Sequence, residues 1–128
     1  MSSVSVLIVD DHDSFRRVAR SVVEATEGFT VAGSVGTGEE SIEAAARLRP
    51  GLVLMDVNLP GIDGIEATSR LRTHSHPPVV VLLSTYDECD FDPPAECGAL
   101  TYIAKSAFGP DRLVEAWALA NGASSTGV

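Results

Sequence analysis

Residues able to carry out chemistry follow four of the short apolar runs in this chain. Asp10 and Asp11 follow the first run, Asp56 the third and Ser84 the fourth, while Lys105 comes two residues after the fifth. A single aspartate after a strand is most often a turn residue or a helix cap, but the five together are harder to explain in that way. Neighbouring carboxylates repel one another unless a cation neutralises them, and hard oxygen ligands suit Mg²⁺ better than zinc. The pattern therefore predicts a divalent-metal site.

The elements that must position these residues are visible in the hydropathy pattern. Five short runs rich in Val and Ile, separated by segments with a helical period, predict a parallel sheet buried on both faces. The runs cover residues 4–9, 30–35, 52–55, 79–83 and 101–103. Strands that alternate with helices predict a three-layer α/β fold with right-handed crossovers. Ligands of such sheets bind beyond the carboxyl ends of the strands, so the chemical residues are expected at one edge.

Four segments carry helix signals. The first has apolar residues at the 3, 4, 7 and 8 offsets of one helical face, namely Phe15, Val18, Ala19, Val22 and Val23. Thr37, with Glu40 three residues later, predicts the start of the second helix, and Asp63 is expected to cap a third over residues 64–72. Pro110 suits the first turn of the last helix, and Gly122 suits its end.

A further crossover helix should lie within residues 86–98, but Pro93 and Pro94 remove two amide donors and disfavour helix before each of them. We therefore expect a short or irregular fourth helix. One domain is predicted over residues 1–122, because a chain of 128 residues suits a single core. Residues 123–128 are expected to form a tail or the stub of a linker.

Composition and charge exclude several classes of protein. The chain is 45% hydrophobic and 21% charged, as in a packed globule, so disorder is not expected. Its formal net charge of −9 would repel nucleic acid and anionic membranes, and no run is long enough to span a bilayer. The two cysteines, Cys89 and Cys97, favour a reducing, cytoplasmic location. Together with His74 and His76 they match no zinc-binding spacing.

Four separated motifs resemble the receiver domain of bacterial two-component response regulators, over essentially the whole chain. They are Val-Asp-Asp at 9–11, Leu-Met-Asp-Val-Asn-Leu-Pro-Gly-Ile-Asp-Gly at 54–64, Leu-Leu-Ser-Thr at 82–85 and Gly-Ala-Leu-Thr-Tyr-Ile-Ala-Lys at 98–105. The resemblance implies a flavodoxin-like, doubly wound sheet with strand order 2-1-3-4-5. It also implies a signalling switch that catalyses its own Mg²⁺-dependent phosphoryl transfer and hydrolysis, rather than a conventional enzyme.

The resemblance implies a role for each residue at the predicted edge. Asp56 would accept a phosphoryl group from a phosphohistidine of a sensor histidine kinase, or from a small acyl phosphate. Asp11 would coordinate Mg²⁺ directly and Asp10 partly through water, and Asp56 and the backbone carbonyl of Asn58 would complete the protein ligands. Lys105 would add one positive charge, so that three carboxylates, Mg²⁺ and the ammonium sum to zero.

The same resemblance implies how phosphorylation is sensed. Ser84 and Lys105 would contact phosphoryl oxygens, and the displacement of Ser84 would let the ring of Tyr102 turn inward. This would alter the face made by the fourth helix, the fifth strand and the last helix, through which homodimers commonly form in the family. The chain itself is not expected to contact nucleic acid or membrane.

Residues around the acceptor carry further predictions. Asn58, Thr85 and Tyr86 are expected to modulate access to the acceptor, and a bulky Tyr86 would lengthen the lifetime of the phosphoryl group. His12, beside the acidic pair, could touch the metal site, but the favoured prediction is a surface residue at a helix start. The arginines of the first helix are predicted to form a solvated face, near which kinases of this family dock; they are Arg16, Arg17 and Arg20.

Two other functions stay open from the residues. A haloacid-dehalogenase-like phosphatase also has aspartates after its first strand, but it needs Asp-x-Asp, whereas Asp10 and Asp11 are adjacent. A pseudo-receiver would bind partners without being phosphorylated, which the complete acidic set disfavours. The output would lie elsewhere, because the chain is either a stand-alone receiver or the first domain of a longer regulator. The Lys105-Ser106 pair favours a regulator with a helix-turn-helix effector, and hence transcription regulation.

Overall fold

The computed structural model describes residues 3–74, 77–85 and 98–120, and within them five strands form one parallel sheet. The strands are β1 (Val4–Val9), β2 (Phe29–Val35), β3 (Leu52–Asp56), β4 (Val79–Ser84) and β5 (Thr101–Ala104). Their spatial order is β2-β1-β3-β4-β5, and every neighbouring pair is parallel. The predicted flavodoxin-like α/β sheet and its strand order are therefore confirmed.

Helices cover both faces of this sheet. They are α1 (Asp13–Ala25), α2 (Gly38–Leu48), α3 (Gly64–Leu71) and the last described helix, α4 (Pro110–Ala120). α1 and α4 pack on one face, and α2 and α3 pack on the other. Alternate residues of a strand point to opposite faces of the sheet. In β1, Val6 and Ile8 therefore pack in the core beneath α1 and α4, and Leu7 and Val9 pack in the core beneath α2 and α3. The central strands are apolar because both of their faces are covered.

The predicted helix starts are confirmed by their hydrogen bonds. The Thr37 hydroxyl accepts a hydrogen bond from the Glu40 amide at 3.0 Å, and the Asp63 carboxylate accepts one from the Glu66 amide at 2.8 Å. The Glu40 carboxylate reaches back to the amide of Gly36 at 3.1 Å. These bonds satisfy amides that have no partner within the helix, and they fix where α2 and α3 begin.

Strand ends differ from the prediction by one residue at four places. β2 begins one residue earlier, at Phe29, and β3, β4 and β5 continue to Asp56, Ser84 and Ala104. Asp56 pairs with Leu83, and Ser84 pairs with Ala104. The hydropathy pattern ended β3 and β4 too early because their last residues are polar, although the backbone pairing continues through them.

Several predictions fall on residues outside the described part of the chain. They concern the short or irregular helix predicted within residues 86–98, of which 86–97 are not described, the domain boundary at residue 122, Tyr86, His76, Cys89 and Cys97. Within the described ranges, no helix has both the length and the apolar character needed to cross a bilayer.

Candidate functional site

The carboxyl edge of the sheet brings together the residues that the sequence singled out. Asp56 is the last residue of β3 and Ser84 the last of β4, and Asp10 and Lys105 directly follow β1 and β5. Asp56 lies beside Leu83 in the register, and the Val57 amide donates to the Leu83 carbonyl at 2.9 Å. Because the strands are parallel and in register, these four residues share one edge.

Asp10 is fully buried and is contacted from three sides. The His12 amide donates to Asp10 Oδ1 at 2.8 Å, and the Lys105 ammonium lies 2.6 Å from Oδ2. Arg16 donates from Nη1 to the backbone carbonyl of Asp10 at 2.6 Å. Both the side chain and the backbone of Asp10 are therefore held by cationic or amide groups, which offsets part of the cost of burying the carboxylate.

Asp56 is also buried, with 1% of its surface exposed, but it has fewer partners. Its Oδ1 accepts a hydrogen bond from the Asn58 amide at 3.2 Å, and its Oδ2 lies 3.5 Å from the Lys105 ammonium. Among the residues that the structure describes, no donor makes a hydrogen bond with Oδ2. One oxygen of Asp56 is therefore left available for an ion or for a reacting group.

The backbone of Asp56 lies directly against the start of α3. A Cβ at Gly64 would overlap the carbonyl oxygen of Asp56, so this position requires glycine. The Gly64 amide donates to the Val57 carbonyl at 2.9 Å and fixes the approach. Gly64 thus allows the end of β3 to lie close against α3, and it takes no part in the chemistry itself.

Burial raises the pKa of the Asp56 carboxyl from 3.8 to about 6, because the charged form loses its hydration. The neighbouring charge of Asp10 is a second, smaller cause of the same rise. The ammonium of Lys105 and the amide of Asn58 lower it, but they do not offset the burial. Asp56 is therefore mostly a carboxylate at neutral pH, and a cation beside it would favour that charged form.

Four side chains at this edge form a cluster of metal-ligand types. Asp10, Asp11, His12 and Asp56 each offer one ligand atom, and these atoms all lie within 4.8 Å of one another. Ligands about 2.1 Å from Mg²⁺ lie at most about 4.2 Å apart, so a small contraction or a bridging water brings the set into range. The cluster therefore fits a bound metal ion.

The ring of Phe15, whose place at this edge was not predicted from the sequence, helps to hold Lys105 between the two buried aspartates. The Lys105 ammonium lies 4.7 Å from the centroid of the Phe15 ring, and only 11% of the lysine side chain is exposed. The Phe15 ring in turn lies 6.4 Å from the ring of Phe108. A cation above an aromatic ring is stabilised by the ring quadrupole, so Phe15 helps to orient the ammonium.

The remaining predicted residues lie at or near the same edge. Ser84 is fully buried, and Thr85, which follows it, is exposed. Asn58, two residues after Asp56, is also exposed. Tyr102 is half-buried and packs against the core beneath α2 and α3.

Arg16 is a site residue whose placement was not predicted from the sequence, whereas His12 lies where it was predicted, exposed at the start of α1. The solvated-face prediction is wrong for Arg16, which is only 25% exposed and reaches the Asp10 carbonyl. It fits Arg17 and Arg20, whose side chains are 78% and 48% exposed. Short sequence distance from the acidic pair was the available signal, because a residue in the first turn of a helix can fold back over the preceding strand end.

Comparison with known proteins gives consistent matches. Residues 6–118 match the family model of the response regulator receiver domain. The chain is 42% identical over 106 residues to the response regulator GacA of Pseudomonas viridiflava, covering 81% of this chain and 49% of that protein. It is 38% identical over 104 residues to the transcriptional regulatory protein LiaR of Bacillus subtilis, covering 80% and 49%.

A solved structure of a signal receiver domain from Mycobacterium tuberculosis superposes with a TM-score of 0.78. It is 25% identical, and the match covers 98% of this chain and 99% of that one. The chain spans about half the length of the curated relatives that it matches.

Proposed function

Because the chain belongs to the family of response regulator receiver domains, we propose that it works as a two-component signalling switch in which Asp56 accepts a phosphoryl group. Membership of this family fits a phosphorylation-dependent switch, and receiver domains of response regulators receive phosphate from histidine kinases. The observation that carries the proposal is the buried carboxylate of Asp56, whose Oδ2 lies 3.5 Å from the Lys105 ammonium and accepts no hydrogen bond from the described part of the chain. The phosphodonor is a sensor histidine kinase.

The proposed reaction uses groups of this chain at stated atoms. The free Oδ2 of Asp56 attacks phosphorus, the bond from phosphorus to the donor breaks, and an acyl phosphate forms on the aspartate. The pKa of about 6 leaves Asp56 deprotonated at neutral pH, as a nucleophile requires. Lys105, 3.5 Å from Asp56 Oδ2, is placed to contact a phosphoryl oxygen once that oxygen carries the group.

We propose Mg²⁺ as the ion of the acidic cluster. Asp11 and Asp56 would hold it directly, Asp10 partly through water, and the Asn58 carbonyl would add a neutral oxygen. When bound, Mg²⁺ offsets the repulsion between the acceptor and the phosphoryl oxygens. The hard carboxylate set supports this choice, and so does the buried Oδ2 of Asp56, which accepts no hydrogen bond from the described residues.

Sensing of the phosphoryl group is proposed for Ser84 and Tyr102. Ser84 ends β4 one residue beyond Leu83, the partner of Asp56, so a small shift of β4 would bring its hydroxyl to the phosphoryl group. Tyr102 lies beside Leu82 in the neighbouring strand. Thr85 and Asn58 are exposed, and we propose that they modulate how readily water reaches the acyl phosphate. The same role is proposed for Tyr86 from the family resemblance.

Phosphorylation is proposed to promote a homodimer through the face formed by β5 and α4. Exposed large hydrophobic side chains in the described ranges are Val18, Val114 and Leu119, and the last two lie on α4. A cleft of about 140 Å³ between β5 and α4 is lined by Tyr102 and Leu119 among others. Light scattering should detect a dimer after treatment with acetyl phosphate. The substitution Leu119→Ser on α4 should weaken dimerisation, whereas the control Val18→Ser on α1 should not. Equal effects of the two substitutions on dimerisation would contradict this interface.

The receiver is proposed to span residues 1–122, with residues 123–128 as a tail or linker stub, in agreement with the family match over residues 6–118. LiaR is named as a transcriptional regulatory protein, and we propose that this chain also takes part in the regulation of transcription. With a net charge of −9, the chain is not expected to contact DNA itself. The cysteine usage supports a cytoplasmic location.

Intact-mass measurement after incubation with acetyl phosphate and MgCl₂ tests the proposed reaction. The parent protein and the exposed control Asp111→Asn should each gain one phosphoryl group, and Asp56→Asn should gain none. A phosphoryl group located on Asp10 by peptide mapping would instead support the dehalogenase-like phosphatase. A parent protein that gains no phosphoryl group and does not bind Mg²⁺ would indicate a pseudo-receiver.

A further inference from the structure

His12 brings a nitrogen ligand into the otherwise acidic cluster. Its Nδ1 lies 3.2 Å from Asp10 Oδ1 and 3.2 Å from Asp11 Oδ1. Distances near 3 Å are those between adjacent ligands of one octahedral ion whose bonds are about 2.1 Å long. The imidazole and the two carboxylates are therefore spaced as neighbouring ligands of the same ion.

The position of His12 in α1 does not explain this placement. His12 is the N-cap residue, a position where Ser, Thr, Asp or Asn normally supplies a side-chain acceptor to the first helix turn. The His12 side chain makes no such cap hydrogen bond. Its ring turns toward the aspartates instead, so a local rule of helix sequence is broken at the residue next to the acidic pair.

The two oxygens of Asp10 face different partners. Oδ1 faces the His12 ring, and Oδ2 faces the Lys105 ammonium at 2.6 Å. The His12 side chain is 63% exposed, whereas Asp10 is fully buried. An ion entering from solvent can therefore meet the imidazole and Asp11 first, without displacing Lys105 from the inner oxygen.

We propose that His12 is an additional metal ligand whose nitrogen strengthens the binding of first-row transition ions such as Co²⁺ and Zn²⁺ at the site that holds Mg²⁺ through its oxygen ligands. This inference rests on the metal site of the proposed function and adds a residue and an ion class to it. Imidazole binds transition ions well, and affinity rises along the series from Mn²⁺ to Cu²⁺, while Mg²⁺ prefers oxygen ligands and keeps its waters. The chain would thus carry a switch site whose occupancy depends on which metal is present.

A simpler role for His12 would be a hydrogen bond from its ring to Asp10, with no contact to the ion. Both roles place the ring beside Asp10 Oδ1, so the distance alone does not separate them. They differ in what happens when the ring is removed. A hydrogen-bonding ring affects all ions that use Asp10, whereas a nitrogen ligand affects the transition ions selectively.

Metal titration of His12→Ala, with His74→Ala as control, separates the two roles. His74 follows the carboxyl end of α3, at the opposite end of the helix from Asp63 and the acidic cluster. Its loss should therefore change neither the affinity for Co²⁺ nor the affinity for Mg²⁺. In calorimetric titrations, His12→Ala should weaken Co²⁺ binding by about tenfold or more. It should change Mg²⁺ binding by no more than about twofold, since Mg²⁺ takes oxygen ligands.

A spectroscopic measurement adds a direct readout of the ligand atom. Pulsed electron paramagnetic resonance of the Mn²⁺-loaded parent and of His74→Ala should show coupling to a directly bound nitrogen, and His12→Ala should not. Mn²⁺ bound without nitrogen coupling, or equal losses of Co²⁺ and Mg²⁺ affinity in His12→Ala, would overturn the role of His12 and leave the proposed function standing. A parent protein that binds neither Mg²⁺ nor Mn²⁺ would overturn the metal site itself, and this inference with it.

Discussion

The ends of β1 and β3 place the same residue type at the same edge of the sheet and surround it differently. Asp10 receives the His12 amide at 2.8 Å and the Lys105 ammonium at 2.6 Å, and Arg16 holds its backbone carbonyl. Within residues 3–74, 77–85 and 98–120, Asp56 receives one hydrogen bond, from the Asn58 amide at 3.2 Å, and the Lys105 ammonium is more distant at 3.5 Å. Both carboxylates are buried, so the difference lies in their partners and not in their exposure to water.

This difference explains how two buried aspartates can have two tasks. Asp10 is held by short contacts, and in the proposed function it would serve as a fixed negative charge beside the metal ion. Asp56 is less well solvated by the protein, and burial raises the pKa of its carboxyl to about 6. A carboxylate that the fold stabilises poorly gains more from a cation or from conversion to a neutral or phosphorylated form. The poor stabilisation of the Asp56 carboxylate is therefore the property that would suit it to the proposed role of phosphoryl acceptor.

The largest expected effect is a gain in stability when Asp56 loses its charge. The folded-state pKa of about 6 exceeds the ordinary value of 3.8, so ionisation of Asp56 opposes folding at neutral pH by about 3 kcal/mol. The opposition is absent below pH 3.8, grows as pH rises and is complete above about 6. Urea unfolding in chelator should therefore show that Asp56→Asn is more stable than the parent by about 3 kcal/mol at pH 7.5.

The matched control for that measurement is Asp111→Asn, the same substitution at an exposed residue of α4. It should change the free energy of unfolding by less than about 0.5 kcal/mol at any pH. The gain in Asp56→Asn should shrink toward zero as the pH is lowered to 4. A gain that does not depend on pH, or a loss of stability at pH 7.5, would contradict the assignment of Asp56 as the poorly stabilised charge.

A second prediction separates the neighbours of Asp56 by the sign of their influence. Asp10→Asn removes a negative charge and should lower the pKa of Asp56, whereas Lys105→Met removes a positive charge and should raise it. Each change should alter the acid dissociation constant of Asp56 by about tenfold. Carbon-13 NMR of the side-chain carboxyl, followed through a titration without metal, measures both shifts. Shifts in the same direction would show that the substitutions act by rearranging the site and not through their charges.

Metal affinity gives a third prediction. Because a protonated Asp56 cannot serve as a ligand, Mg²⁺ must compete with a proton below pH 6. The apparent dissociation constant of Mg²⁺ should be nearly constant from pH 8 to 7 and about tenfold larger at pH 5. Asp56→Asn should bind more weakly at neutral pH and should lose most of the pH dependence in this window. A parent protein with no pH dependence would exclude Asp56 from the ligand set.

The sequence was sufficient for features that depend on local pattern. The capping pairs at Thr37 and Asp63 are confirmed because an N-cap bond joins residues three apart, and such spacing can be read from the chain. The strand-end positions of Asp56 and Ser84 were predictable because apolar runs mark parallel strands and ligands gather at their carboxyl ends. The resemblance supplied the strand order, which spacing alone does not determine.

Contacts between elements could not be read in the same way. In the sequence, Arg16 cannot be told apart from its exposed neighbours Arg17 and Arg20. The position of the first turn of α1 beside the end of β1 brings the Arg16 guanidinium to the Asp10 carbonyl. Phe15 was predicted as a core residue of α1, and its packing in that core holds, but its contact with Lys105 joins residues ninety positions apart. Hydropathy ranks side chains by their preference for burial and carries no information about such pairings.

The smallest expected effect concerns the clamp on the backbone of Asp10. Arg16 and Arg17 both contact the carboxylate of Asp13, but only Arg16 also donates to the Asp10 carbonyl. Arg16→Met should lower the free energy of unfolding by about 1 kcal/mol, the usual net contribution of one intramolecular hydrogen bond. Arg17→Met should change it by less than about 0.5 kcal/mol, since its ion pair is solvent-exposed. Equal losses in urea unfolding would mean that the contact with Asp13, and not the hold on Asp10, is what stabilises this end of β1.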